Sequence, residues 1–197
     1  MTTRAAVPAD APTIARTMHL GFATYRAFAP AGWSPPAPFE IQVAAIAERM
    51  RAPGVWALLA ERAGEPMAHV AMAPGDGPGP TAYLWQLFVR PAFWGTGVAG
   101  LLHEAFLARA AQAGYRRARL ATPAPHTRAR RFYERRGWRT DGPPDDLWHF
   151  GIPLVAYVRP VLPPPAGEGT IRPSCGPPIA TGSGPSPSSG RDAPRAT

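Results

Sequence analysis

The sequence predicts an α/β protein whose helices, about four in number, pack on one mixed, mostly antiparallel twisted sheet. Three stretches carry that expectation. Residues 83–89 read YLWQLFV, an apolar run of strand length rich in aromatic and aliphatic side chains. Past a break at Arg90-Pro91 and a small-residue turn, Val98, Leu101, Leu102, Ala105, Phe106 and Arg109 recur at helical spacing. A second unit of the same kind starts at Leu120, LATPAPHTRARRFYERRGW: a short strand, a Pro-rich break, then a helix with Ala129, Phe132 and Tyr133 on one face and Gly137 placed to end it. Upstream, VWALLAE (55–61) and MAHVAMA (67–73) are joined by a short segment containing Gly64 and read as an antiparallel hairpin. If strands 83–89 and 119–122 lie side by side, the helix between them is a right-handed crossover and the two strands are parallel.

The remaining elements follow in chain order. Residues 2–7 read as an edge strand, and Asp10 is placed to cap a first helix with Pro12 in its opening turn. Ile14, Met18, Phe22 and Tyr25 fall on one stripe of that helix, which should end near Ala29. Pro30, Gly32, Pro35, Pro36 and Pro38 make a stiff loop around Trp33, and Phe39, Val43, Ile46 and Met50 mark a second helix. Residues 74–80 are a Gly/Pro turn leading into the central strand. At the far end 148–158 (WHFGIPLVAYV) supplies one or two strands, with Gly151 and Pro153 at a bulge or an edge.

Composition bounds what such a chain can be. Of 197 residues, 161–197 contain Pro163, Pro164, Pro165 and a run of Gly, Ser and Thr with almost no large apolar side chains. They cannot bury enough surface to offset their ordering entropy, so residues 1–160 should be one folded domain followed by a disordered Pro/Gly/Ser-rich tail. Cys175, the single cysteine, lies in that tail, which excludes an internal disulfide and fits a reducing cytoplasm. The first ten residues lack the layout of a secretory signal, and no segment reaches the apolar length of a membrane span. No metal-ligand cluster is expected. The net charge is +8 and all 21 basic residues are arginine. Nine of them stand between Tyr115 and Arg139 against Glu134 alone. Such a concentration can mark nucleic acid, but no recognition helix, zinc module or aromatic-studded RNA sheet accompanies it, and a solvated face explains it as well.

The turn between the central strand and its helix carries chemistry. A helix begun on Gly95 and Gly97 points unpaired N–H groups and the positive end of its dipole at whatever lies ahead, and the glycines bring no Cβ to hold an anion off. No Lys-Ser/Thr follows, which excludes the mononucleotide loop of the ATPases. The spacing is not GxGxxG either, and no acidic residue stands at the dinucleotide distance. A glycine-softened turn that binds nothing is the alternative at this point.

Taken together, the two units resemble the GNAT superfamily of acyl-CoA-dependent N-acyltransferases, loosely over residues 2–160. Its loop pattern Gln/Arg-x-x-Gly-x-Gly/Ala is matched at Gly97 and Ala99, with Trp94 in place of the first polar residue. Its later signature Asn-x-x-Ala-x-x-Phe-Tyr-x-x-x-Gly-Phe appears as His126, Ala129, Phe132, Tyr133, Gly137 and Trp138, with only the first and last positions changed. The resemblance implies a GNAT-like sheet whose two parallel central strands splay apart, with acetyl-CoA as co-substrate. Its pantetheine arm would bond to backbone groups of Leu87, Phe88 and Val89, and its pyrophosphate would rest on the amides of Trp94, Gly95, Thr96, Gly97, Val98 and Ala99. His126 and Tyr133 would also touch the carrier. Arg128, with Arg130 and Arg131 as further candidates, stands where the phosphates would lie and has the fork geometry to meet them. The first two helices would form one wall of the acceptor pocket, with Tyr25, Trp33 and Trp85 as substrate contacts.

The reaction so implied is acetyl transfer to a primary amine of a small molecule or peptide by direct attack, since the folded part offers no cysteine nucleophile. A backbone N–H near Phe88 or Val89 would stabilise the oxyanion. The leaving thiolate, with a free pKa near ~8.5, would take its proton from Tyr133, the residue that matches the family's acid. An alkyl ammonium near pKa ~10.4 must first lose a proton. Many relatives place a carboxylate on the central strand, but Gln86 cannot serve, which leaves His126, His149, Glu40 or an ordered water without an assignment. Two alternatives stand beside the enzyme: a non-catalytic acyl-CoA-binding module or sensor, and a basic nucleic-acid-associated protein, the less favoured. No membrane partner is expected, and exposed terminal strands leave a homodimer open.

Overall fold

A computed structural model describes residues 1–163 apart from 78 and 147–149. The described residues belong to one compact unit, Met1–Pro164. The tail and Cys175 fall outside the described residues, as does His149. In this unit the order is β1 (Thr2–Ala5), α1 (Ala11–Ala23), α2 (Phe39–Arg49), β2 (Trp56–Arg62), β3 (Glu65–Gly75), β4 (Thr81–Val89), α3 (Val98–Gln112), β5 (Arg117–Pro123), α4 (Thr127–Glu134), β6 (Arg139–Thr140) and β7 (Leu154–Pro160). The strands form one mixed sheet in the order β1-β2-β3-β4-β5-β7-β6. Every neighbouring pair is antiparallel except β4 and β5, the two strands that the α3 crossover joins.

That parallel pair is short. Only Thr81, Ala82 and Tyr83 of β4 find register partners on β5, opposite Arg117, Ala118 and Arg119. From Leu84 onward the strands separate, so backbone groups of β4 that face β5 have no strand to bond to. A second irregularity lies on the other side of β4. Ala71 pairs with Gln86 but Met72 pairs with Leu84, so Trp85 is an extra residue, a β-bulge. Strict alternation would send Trp85 and Gln86 to opposite faces. With the bulge, both meet the α1/α2 layer: Trp85 packs in its core, and Gln86 bonds to Met18 of α1.

Each face of the sheet has its own core. On one side α3 and α4, together with Trp138 just past the end of α4, cover Leu84, Leu120 and Tyr157, with Val98, Leu102 and Phe106 coming from α3. On the other, α1 and α2 cover Leu59 with Ile14, Met18, Phe22 and Ile46. Gly21 lets α1 descend onto β4, since a Cβ there would collide with the Phe88 ring.

Several local expectations are corrected. Asp10 stands at the N-cap position of α1, but its side chain makes no capping hydrogen bond there: the carboxylate is paired with Arg4 at 2.8 Å and accepts the Val7 N–H at 2.9 Å. On α3, Leu101 is 40% exposed while His103 is buried. The imidazole is accommodated because the Trp138 indole N–H donates to Nε2 at 2.9 Å and Nδ1–H donates to Glu104 at 3.1 Å. The final strand begins at Leu154, not before Gly151, and the two-residue β6 that pairs with it has no counterpart in the expected order.

Candidate active site

The glycine turn forms the first half of the site. Gly97 caps α3 with φ 85° and Gly95 has φ 79°, both in the left-handed region. Among the described residues, the N–H groups from Gly95 to Gly100 find no partner within the chain. A Cβ added at Gly95 or Gly97 would meet nothing within 4 Å, so the space before these amides is open. The residues therefore fit a diphosphate. Arginines surround the opening. Arg128 lays its guanidinium 4.1 Å above the Trp94 ring, and Arg136 lies 3.9 Å above the Phe132 ring and reaches over Gly100.

From this turn a cavity of about 1030 Å³ runs into the gap between β4 and β5, lined from both faces of the sheet. The α3/α4 face contributes Leu87, Val89, Phe93, Ala129, Phe132 and Tyr133, and the α1/α2 face contributes Phe22, Tyr25, Trp85, Gln86, Phe88 and Phe150. The second wall is largely aromatic, with Phe22 edge-on to both Tyr25 and Phe88 at 5.4 Å. His126, just ahead of α4, touches this wall from across the gap, 5.4 Å from Tyr25 and 5.2 Å from Phe28.

Burial tunes Tyr133 and His126 in opposite directions. The Tyr133 phenol is pushed up by burial first and then by Tyr25 and Tyr83, and its hydroxyl makes no hydrogen bond among the described residues. It therefore remains a proton donor at neutral pH. Burial, helped by Arg128, holds His126 below its ordinary value, so it is a neutral imidazole at pH 7. Behind the wall, His69 is fully buried and pulled down to about 4 by desolvation. Its Nε2–H donates to Gln86 Oε1 at 3.0 Å while the Gln86 amide points at Met18 Sδ, which leaves His69 Nδ1 without a partner among the described residues.

The structure brings most of the expected residues to one cavity: Tyr25, Trp85, Leu87, Phe88, Val89, Trp94, Gly95, Gly97, Val98, Ala99, His126, Arg128 and Tyr133 all line it. Thr96 and Trp33 do not. Thr96 Oγ1 turns back to the Phe93 carbonyl at 2.8 Å, and the Trp33 indole donates to the Phe150 carbonyl at 2.8 Å, so Trp33 supports the aromatic wall from outside. The Val89 carbonyl is already taken by the Trp94 indole N–H at 3.1 Å. Arg130 is tied to Tyr157, Ala124 and Glu134, and neither it nor Arg131 reaches the cavity, whereas Arg135 and Arg136 do. Glu40 is not in the wall. Sequence reasoning also passed over Met18, Gly21, Arg49 and Arg119, whose positions depend on how α1, α2 and β5 dock.

Splayed parallel strands, an amide cradle and a through-going cavity define an acyl-carrier transferase fold, and the comparisons agree. Residues 20–138 match the model of the acetyltransferase (GNAT) family. The chain belongs to that family and is an acetyltransferase, with acetyl-CoA as its co-substrate. Among solved structures it is similar to an acetyltransferase from Thermus thermophilus, 25% identical with a TM-score of 0.64 over 81% of this chain and 97% of that one. It is also similar to a ribosomal-protein-alanine N-acetyltransferase from Brucella melitensis, 17% identical with a TM-score of 0.63 over 81% and 99%. A third, yncA from Salmonella typhimurium, solved with its cofactor acetyl-CoA, is 18% identical with a TM-score of 0.64 over 85% and 98%. Among proteins of curated function none is significantly similar in sequence. No helix among the described residues is long and apolar enough to cross a membrane, and they hold no group of side chains that could bind a metal.

Proposed function

We propose that residues 1–160 form an N-acetyltransferase that moves the acetyl group of acetyl-CoA to a primary amine of a small molecule or peptide by direct attack. A cytoplasmic location belongs to the same reading. The observation that carries it is the continuous cavity, which joins unpaired amides at the head of α3 to an aromatic wall on the opposite face of the sheet and passes Tyr133 on the way. The amides from Gly95 to Ala99, with Arg128, Arg135 and Arg136 around them, hold the diphosphate. The unpaired edge of β4 takes the pantetheine arm, and an N–H near Phe88 meets negative charge developing on the acetyl oxygen. Leu87 and Phe88 are the better backbone contacts, because the Val89 carbonyl is occupied.

Two proton movements complete the reaction. His126 and Asp76 are the groups in the cavity wall that could accept the ammonium proton, and we assign the role to His126, which is neutral at pH 7 and touches the aromatic wall. Tyr133 donates to the departing sulfur. Its hydroxyl is protonated at neutral pH and has no partner among the described residues to give up.

The test is calorimetric titration with acetyl-CoA, then thiol release over a panel of amines. Binding with release for at least one amine is expected. Binding without release for any of them would overturn the enzymatic reading in favour of an acyl-CoA sensor. Truncation after residue 163 should leave both measurements unchanged, since the cavity wall described above is built from residues that precede the cut.

A further inference from the structure

The mouth of the cavity on the α1/α2 face carries positive charge apart from the arginines that ring the amide cradle. Tyr83 and Arg119 form the last rung of the parallel pair before the strands separate. Leu120 is buried in the α3/α4 core, so Arg119, one residue earlier on β5, projects to the α1/α2 face. From above, Arg49 at the end of α2 lays its guanidinium 4.6 Å over the Trp85 ring. Arg49 and Arg119 both sit close enough to Tyr83 to oppose the burial that pushes its phenol up to about 12. All four residues line the cavity.

These two arginines are differently committed. Arg119 pairs with Asp141 at 3.2 Å and reaches the Asp76 carbonyl at 3.4 Å. Arg49 has no carboxylate partner among the described residues, and stacking on Trp85 occupies its face while leaving the N–H groups in its plane free to donate. Asp76 is the one carboxylate among the described residues of the cavity wall. A simple alkylamine would bring a cation to this mouth and gain nothing from the guanidiniums. An acceptor with a carboxylate would gain charge-assisted hydrogen bonds.

We infer that the acceptor amine also carries a carboxylate, which docks on Arg49 beside Arg119 while an apolar or aromatic side chain lies against Phe22, Tyr25, Phe88 and Phe150. The substrate class is then amino acids or short peptides with an apolar side chain. This rests on the acetyltransferase reading above.

The experiment uses the full chain with acetyl-CoA and two matched pairs of acceptors, phenylalanine against 2-phenylethylamine and leucine against 3-methylbutylamine. Phosphoethanolamine serves as a phosphate-bearing arm. The wild type should prefer the carboxylate member of each pair. Arg49→Gln, at an exposed position that does not threaten folding, should lower kcat/KM for phenylalanine about 10-fold, mostly through KM, with 2-phenylethylamine changed less than about 2-fold. Arg49→Lys should recover part of the loss, and acetyl-CoA affinity should be unchanged in both. Calorimetry gives a readout apart from turnover: N-acetylphenylalanine, titrated in the presence of CoA, should bind about 10-fold more weakly to Arg49→Gln. Equal effects on both members of a pair, or a wild-type preference for the uncharged amines, would overturn the inference while leaving the acetyltransferase intact. Preference for phosphoethanolamine would overturn the carboxylate assignment. If no amine of either kind releases thiol, the proposed function fails and this inference fails with it.

Discussion

Gly97 offers the cleanest separation of folding from binding. Its φ of 85° places an L-residue in the left-handed region, which costs about 1–2 kcal/mol for a substitution such as Gly97→Ala. The added Cβ meets nothing within 4 Å in the protein itself, so no steric cost joins the conformational one. For a domain of this size that cost corresponds to a Tm loss of about 2–8 °C. Gly64, in the β2–β3 hairpin, supplies a matched control: its φ is 79° and a Cβ there also meets nothing within 4 Å. Gly64→Ala and Gly97→Ala should therefore lose similar stability by thermal denaturation. Calorimetry with acetyl-CoA should separate them, with Kd raised at least about 10-fold for Gly97→Ala, since a methyl group would stand among the amides that meet the diphosphate, and unaltered for Gly64→Ala. Gly97→Leu should abolish binding. If Gly97→Ala loses stability like its control yet binds acetyl-CoA as the wild type does, the diphosphate does not approach this amide and the cradle argument is wrong.

Other expectations rest on single contacts. Tyr133→Phe orphans no partner, so stability should stay within about 0.5 kcal/mol while kcat falls about 100-fold with acetyl-CoA affinity retained, as stopped-flow thiol release and calorimetry would show. Trp138→Phe leaves His103 Nε2 buried without its donor and should cost about 2 kcal/mol in urea denaturation, with less than additive loss when His103 is changed as well. Acid should weaken the fold. His69, held at about 4 in the native chain against an ordinary 6.5, binds its proton later than in the unfolded chain, so stability is full at neutral pH and falls as pH drops from about 6.5 towards 4. The loss attributable to this one group is about 3 kcal/mol by pH 4, and burial of His103 and His126 acts in the same direction. A urea midpoint that stays flat from pH 7 to 4.5 would refute this, and His69→Gln should flatten it.

How far the residues announced this molecule differs from place to place. The strand–glycine turn–helix unit was legible because periodicity and glycine act over a few neighbouring positions. Trp138 was visible as a departure from a Phe, but its reason, a hydrogen bond to His103 across 35 residues, exists only once α3 packs on the end of α4. The bulge at Trp85 was hidden because YLWQLFV looks like any uninterrupted strand; an extra residue is defined by its partner strand, not by its own sequence. Asp10 had the right side chain for a helix cap and was taken by Arg4, a competition that local rules do not contain. Charge was the least legible feature: the arginines of β5 and α4 look alike in the sequence, yet Arg130 braces Tyr157 while Arg128 and Arg136 stack on rings beside the amide cradle.

The three-rung contact between the middle strands has a consequence for the protein's persistence. Beyond those rungs the two halves of the sheet are joined by the core under α3 and not by strand pairing, and a molecule lodged between them acts as a rivet. Each tenfold excess of acetyl-CoA over its dissociation constant adds about 1.4 kcal/mol to the folded state, so the amides along the loose margin of β4 should exchange with deuterated solvent fastest when the thioester pool is depleted. Survival of this polypeptide against proteases is thereby coupled to the supply of the reagent it consumes.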